Sequence, residues 1–171
     1  MTVTSSGGST ICENATLSAS GGSGGTIYWQ GTNSSGTATK TGSGATSPAI
    51  TATGTYYARA VNGSCWGNEG SVAITTVTAL PSQVTVTGGG TICENATLSA
   101  SGGSPGTIYW QGNNLSGTST GSGSGATSPA ITATGTYYAR ALNGSCWGQI
   151  SSGEVVSTLN DAPTNVSATS S

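Results

Sequence analysis

Histidine and phenylalanine are absent from this chain, and charge is scarce, with three basic and five acidic residues. Each gap removes a class of function. Without histidine there is no ordinary base to activate a serine, and the acids Glu13, Glu69, Glu94, Glu154 and Asp161 stand singly, with no paired carboxylates for acid–base work. The chain is therefore expected not to be an enzyme. Calcium, which takes six to eight oxygens and usually several carboxylates, finds no such cluster. Zinc is disfavoured by the missing histidine and by four cysteines none of which forms a Cys-x-x-Cys pair. No metal and no cofactor is expected. No basic patch exists to neutralise phosphates, which excludes nucleic acid. No apolar run approaches a membrane span, so no membrane insertion is expected.

What is present is glycine (29 residues) with abundant serine and threonine, and only 33% hydrophobic residues. Such composition alone suits disorder. Its patterning argues otherwise, because one block is written twice. Residues 10–23 return letter for letter at 91–104, and 42–60 return at 123–141. Cys12 and Cys93, Trp29 and Trp110, and Cys65 and Cys146 keep one 81-residue offset. The segment Asp161-Ala162-Pro163-Thr164-Asn165-Val166 resembles Leu80-Pro81-Ser82-Gln83-Val84, lengthened by one residue. A fixed period of this size signals an array. The expected division is repeat 1 over 1–79, repeat 2 over 80–160, and the start of a third repeat or a linker over 161–171. Met1 falls inside a repeat, so any export signal is expected upstream. Each repeat is near the lower size limit for its own core, which must rely on Trp, Tyr, Ile, Val and Leu.

Period-two alternation recurs and no stretch carries a helical stripe. In the first repeat, strands are expected around Val3, with 10–12 as a continuation, and over 15–19 with Ala15, Leu17 and Ala19 inward. Others are expected over 26–30, 49–52, 55–61 and 71–77, with a weak edge strand possible in the Gly/Ser/Thr-rich stretch after Gln30. Asn62-Gly63 predicts a type I′ hairpin. Short strands at this spacing predict a β-sandwich. The 79–83 linker is too short for free tumbling. The fold class expected is all-β, two tandem Ig-like β-sandwich domains arranged end to end.

The run Ile11-Cys12 followed by a turn and Ala15-Thr16-Leu17-Ser18-Ala19-Ser20-Gly21-Gly22, then Tyr28-Trp29, Gly54 to Ala60, and Asn62-Gly63-Ser64-Cys65, resembles the Ig-like repeats of large secreted surface proteins of Bacteroidetes, including gliding-motility adhesins. The resemblance covers nearly the whole chain. It implies a structural or adhesive role outside the cell and transfers no catalytic residues.

Trp29 and Trp110 are expected as core anchors. Of Tyr56 and Tyr57 the inward one is expected to tie its hydroxyl to neighbouring backbone, and the outward one to join Tyr28 in an exposed strip. Trp66 and Trp147 follow a cysteine just past a hairpin. They are expected mainly to pack, with ligand or inter-repeat contact at Trp66, Trp147, Tyr57 and Tyr138 the alternative. Arg59 and Arg140 are expected to stack or pair locally.

The cysteines Cys12, Cys65, Cys93 and Cys146 suggest an oxidising compartment and structural disulfides. Cys12 and Cys65 fall at opposite ends of a sandwich, roughly 20 Å apart on strand length, whereas a disulfide needs Cα atoms within about 7 Å. The junction pairing Cys12–Cys146 is therefore expected, with Cys65 and Cys93 pairing to neighbouring repeats. Pairing within each repeat, Cys12–Cys65 and Cys93–Cys146, and free thiols are the alternatives.

The expected function is a non-catalytic, extracellular or cell-surface spacer or stalk repeat of a large adhesin or fibre. Its partners would be neighbouring repeats of the same array, with surface glycans or other cell-surface proteins as further candidates. The rival is a carbohydrate-binding module using exposed Trp and Tyr. Thr-x-Thr ladders such as Thr51-Ala52-Thr53 and Thr85-Val86-Thr87 raise ice binding, but they are short and broken. Seven Asn-x-Ser/Thr triplets, from Asn14 to Asn165, arise readily in so hydroxyl-rich a chain and do not indicate glycosylation.

Overall fold

The computed structural model describes residues 1–39 and 42–159; the expected start of a third repeat, 161–171, lies outside them. The described residues are strands, turns and loops without a helix. They form two compact units, Met1–Ala79 and a second that begins at Leu80.

Unit 1 contains β1 (Thr2–Ser5), β2 (Thr10–Cys12), β3 (Leu17–Ser20), β4 (Thr26–Gly31), β5 (Gly54–Asn62), β6 (Cys65–Trp66), β7 (Gly70–Ile74) and β8 (Thr76–Thr78). One sheet is built on β1 and β3, antiparallel, with Val3 opposite Ala19. The other runs β4–β5, with β6 and β7 both on the far side of β5. After Ser5 the chain leaves this sheet, since β2 is not a simple continuation of β1: it pairs in parallel with β8 as a two-stranded sheet, Ile11 opposite Val77.

Alternation puts Val3, Leu17, Ala19, Trp29, Ala58 and Ile74 between the layers, all buried. Trp29 supplies the large apolar body that so small a core needs. Its indole Nε1 donates to the Gly44 carbonyl at 3.1 Å, so the one polar atom it brings inside is satisfied. Tyr56 packs on this cluster and its hydroxyl donates to the Ala52 carbonyl at 2.8 Å, the corner tyrosine expected from the inward position.

Unit 2 repeats the plan with β9 (Val84–Thr87), β10 (Gly90–Cys93), β11 (Ser99–Gly102), β12 (Thr107–Gly112), β13 (Gly135–Asn143), β14 (Cys146–Trp147) and β15 (Glu154–Leu159). Its core gathers Val84, Val86, Leu98, Trp110, Ile131, Ala139 and Val156.

The structure corrects four local expectations. The segment expected as a strand at 49–52 is held beside β3 only through bridges such as Ala15–Ile50, because Pro48 has no N–H to offer a ladder. In the stretch after β4, residues 32–39 hold no strand and Gln30 clamps them through Ala38, while the possible edge strand is reduced to an isolated antiparallel bridge of Ser43 with Tyr28. The expected 71–77 strand breaks between β7 and β8, where the Thr75 and Thr76 amides turn to the Ser9 carbonyl at 2.8 and 3.2 Å. The hairpin turn is one residue later than expected. Asn62 pairs with Cys65, leaving Gly63 and Ser64 in the loop. Only Gly63 has a positive φ, +59°, which is the II′ pattern and not I′.

Candidate functional site

The outward face of the β4–β5–β6 sheet carries the residues singled out from the sequence. Tyr28 stands opposite Arg59 in the register, and Val61 opposite Trp66. These positions share one face, two residues on from Tyr57. There the Tyr28 and Trp66 rings lie 6.1 Å apart, tilted by 60°. The Arg59 guanidinium lies 5.7 Å from the Trp66 ring centre. Its Nε donates to the Gly67 carbonyl at 2.9 Å and its Nη1 to the Gly36 carbonyl at 3.4 Å.

Unit 2 copies the arrangement: Tyr109 to Trp147 at 5.8 Å and 64°, Arg140 at 5.9 Å from Trp147, with Nε donating to the Gly148 carbonyl. A cation over an indole contributes about 0.5–1 kcal/mol at such half-exposed sites. Trp66 and Trp147 are thus members of a packed ladder, with ring surface already taken by their own unit. Tyr57 and Tyr138 lie on the same faces, half-buried, opposite Gly31 and Gly112.

Polar side chains buried in each unit escaped the sequence reading. Gln30 is 5% exposed and grips a loop, its Nε2 donating to the carbonyls of Tyr28 and Ala38 while its Oε1 accepts from the Ala38 amide. Ser47 Oγ accepts from the Leu17 amide at 2.8 Å and donates to the Pro48 carbonyl at 2.7 Å. Gln111 and Ser128 do the same in unit 2. A glutamine or serine among dozens of polar residues carries no sequence signal of burial.

Beside each core tryptophan lies an apolar cavity. The first, about 230 Å³, is lined by Trp29, Pro48, Ile50 and Tyr56, and its counterpart, about 200 Å³, by Trp110, Pro129, Ile131 and Tyr137. The indole N–H, the tyrosine hydroxyl and the serine hydroxyl around each are already committed to backbone partners. Such walls can hold an apolar group but offer no converging donors to orient and polarise a substrate.

The groups with covalent chemistry are the cysteines. Cys65 and Cys93, expected as disulfide members, are free and exposed thiols here. Cys12 and Cys146 are disulfide-bonded. Pairing within each repeat is therefore not what forms, and the register gives the reason. Cys65 pairs with Asn62 at the hairpin end of β5, while Cys12 pairs with Thr78 beyond its other end. A nine-residue strand spans about 26 Å, far beyond disulfide reach.

Comparison with known proteins agrees with this architecture. A family model described as "Ig-like domain CHU_C associated" matches residues 1–81 and again 81–160. No curated protein matches. Among solved structures, a chain in the crystal structure of mouse coronavirus receptor-binding domain complexed with its murine receptor is 14% identical at a TM-score of 0.41, with 92% of this chain and 99% of that chain covered. The N-terminal four Ig domains of Dscam1 isoform 6.9 are 16% identical at 0.33, covering 87% of this chain and 43% of that one. Those of isoform 4.44 are 14% identical at 0.33, covering 92% and 46%. This chain thus spans less than half of either Dscam1 chain, and at such scores nothing about its function follows. With one family model matched twice in succession, the chain belongs to the CHU_C-associated Ig-like domain family, as a tandem pair.

Proposed function

We propose that this tandem pair is a structural spacer of a larger extracellular surface protein, non-catalytic, with its two modules stapled to each other by a Cys12–Cys146 disulfide. The observation that carries the reading is the tandem match itself: the same module, with its own complete core, is set down twice at a fixed period. Supporting it, Trp29, Gln30, Ser47 and Tyr56, and their counterparts Trp110, Gln111, Ser128 and Tyr137, spend their polar atoms on backbone partners. Sparse charge further limits adventitious binding to charged surfaces.

The staple makes the spacer stiff and carries pulling force through covalent bonds. It is tested by digesting the denatured, unreduced protein with trypsin, which cuts after Lys40, Arg59 and Arg140. The reading requires peptide 1–40 linked to peptide 141–171. A link from either of these to peptide 60–140 instead sinks it.

The repeated outward aromatic faces favour glycan binding as a second reading. Array binding that disappears on Trp66→Ala and Trp147→Ala, with thermal unfolding unchanged, would replace the spacer reading. The ladder predicts a different result, since removing either ring from it lowers stability.

A further inference from the structure

The outward face of each unit holds a cation that no group beside it neutralises. Lys40 lies outside the described residues, so Arg59 and Arg140, one per unit, are the only basic side chains described. Among the described residues neither forms an ion pair. Nε of each is spent on a backbone carbonyl, that of Gly67 or Gly148, and the guanidinium lies against the indole of Trp66 or Trp147. These two contacts fix the guanidinium and leave its Nη1–Nη2 edge as the open side of the fork. In unit 1 Nη1 also reaches the Gly36 carbonyl, at a long 3.4 Å. Among the described residues of unit 2 the terminal nitrogens have no protein partner, so clamping that loop is not what the two arginines share.

Two phenols flank each fork. Tyr28 stands opposite Arg59 across β4 and β5, and Tyr57 lies two residues before it on the same face; Tyr109 and Tyr138 repeat this around Arg140. Opposite residues stand about 5 Å apart at Cβ, and neighbours two apart on one strand about 7 Å. The inward tyrosines, Tyr56 and Tyr137, give their hydroxyls to backbone carbonyls. Among the described residues the four outward hydroxyls have no protein partner. Opposite Tyr57 and Tyr138 stand Gly31 and Gly112, where an added Cβ would meet nothing within 4 Å, so no side chain of β4 or β12 fills the space beside those phenols.

We propose that this face, on each unit, is a seat for a hexuronic acid residue of an acidic polysaccharide, whose carboxylate pairs with Arg59 or Arg140. The groups present select that occupant. A guanidinium held by its Nε offers the remaining edge for two parallel N–H···O bonds, which fit a planar carboxylate. With no protein carboxylate paired to it, that charge is available to one from outside. A uronic acid carries hydroxyls and a ring oxygen close to its carboxylate, and these suit phenol hydroxyls on residues about 5–7 Å from the arginine. An acidic peptide brings the carboxylate without that ring of acceptors. The indole supports the guanidinium here and does not stack on the sugar, which separates this seat from the glycan reading above. A spacer can carry such seats, and they do not depend on the disulfide.

One solvent-facing pair binds weakly, so the test is an NMR titration of the full-length chain with trigalacturonic acid at low salt. The arginine Nε–H and tryptophan Nε1–H signals of both units should shift and saturate with like affinity. Sodium chloride at about 0.5 M should weaken both sites about tenfold or more. The fully methyl-esterified trimer, the same sugars without charge, should bind about tenfold more weakly, and so should triglutamate, the charge without the sugar. Arg59→Gln should abolish the shifts of unit 1 and leave those of unit 2, and Arg140→Gln the reverse. Either change also takes the cation off its indole, so a gentler variant accompanies them. Tyr57→Phe deletes only a hydroxyl without a protein partner; it should weaken unit 1 about threefold or more with the melting temperature unchanged.

Equal binding of ester and acid would overturn the pairing of carboxylate with arginine. Equal binding of triglutamate would overturn the sugar as occupant. Shifts that survive Arg59→Gln in a folded unit 1, or Tyr57→Phe protein that binds as before, would overturn the seat itself. A trimer that binds neither unit refutes it too, while the spacer reading stands or falls separately on the 1–40 to 141–171 link.

Discussion

At the scale of single residues, two tryptophans per unit have opposite duties that their spacing in sequence only half announces. Trp29 is 3% exposed in the layer between the sheets, while Trp66 lies on the outer face under Arg59. Alternation along β4 made Trp29 legible as core, because Ile27 and Trp29 face one way and Tyr28 the other. Trp66 had no such run around it, so only the pairing of Val61 with Trp66 places it beside Tyr28 and Arg59.

Replacing Trp29 by Ala leaves an apolar void next to an existing cavity and should cost about 3–5 kcal/mol in urea unfolding of unit 1. The same change at Trp110 should cost a like amount in unit 2. Unequal losses far outside that range would mean the two cores are not equivalent.

At the scale of elements, the strands were legible where residues alternate and lost where hydrogen bonding is irregular. The 55–61 strand was readable and appears as β5, lengthened at both ends. The 45–50 segment was not, since its backbone bonds to residues 15–19 are interrupted at Ser47, whose hydroxyl takes the Leu17 amide in place of a backbone carbonyl. Ser47→Ala would orphan the buried Leu17 amide and should destabilise the unit by about 1–3 kcal/mol. Hydrogen exchange at that amide should accelerate accordingly; an unchanged rate would refute the account.

The hairpin gives a second test at this scale. Gly63 holds a φ of +59°, where an L side chain is strained. Gly63→Val should therefore cost about 1–2 kcal/mol. Gly67→Leu, four residues on, should cost close to nothing, as measured by the two melting temperatures.

At the scale of the whole molecule, the question is what pulling on the chain would do. If Cys12 and Cys146 are bonded to each other, the chain between them is shielded from force. Stretching the protein by its ends under oxidising conditions should lack roughly 450 Å of the contour released after reduction, at 3.3–3.6 Å per residue. Reduction should also lower stability by about 2–5 kcal/mol, the usual effect of opening a long disulfide loop. Full extension without a reductant would show that the staple is absent.

The repeat, the all-β class and the inward tryptophans were settled by the sequence alone. They depend on period, alternation and composition, which are local properties of the chain. Only the tertiary structure decided which cysteines are free, where the proline of the linker sits, and which face Trp66 shares with Arg59. Those outcomes depend on strand register and on approaches between residues distant in sequence: Gly148 must be glycine because Pro81 lies 67 positions earlier in the chain and a few ångströms away in space, roughly one side chain's reach.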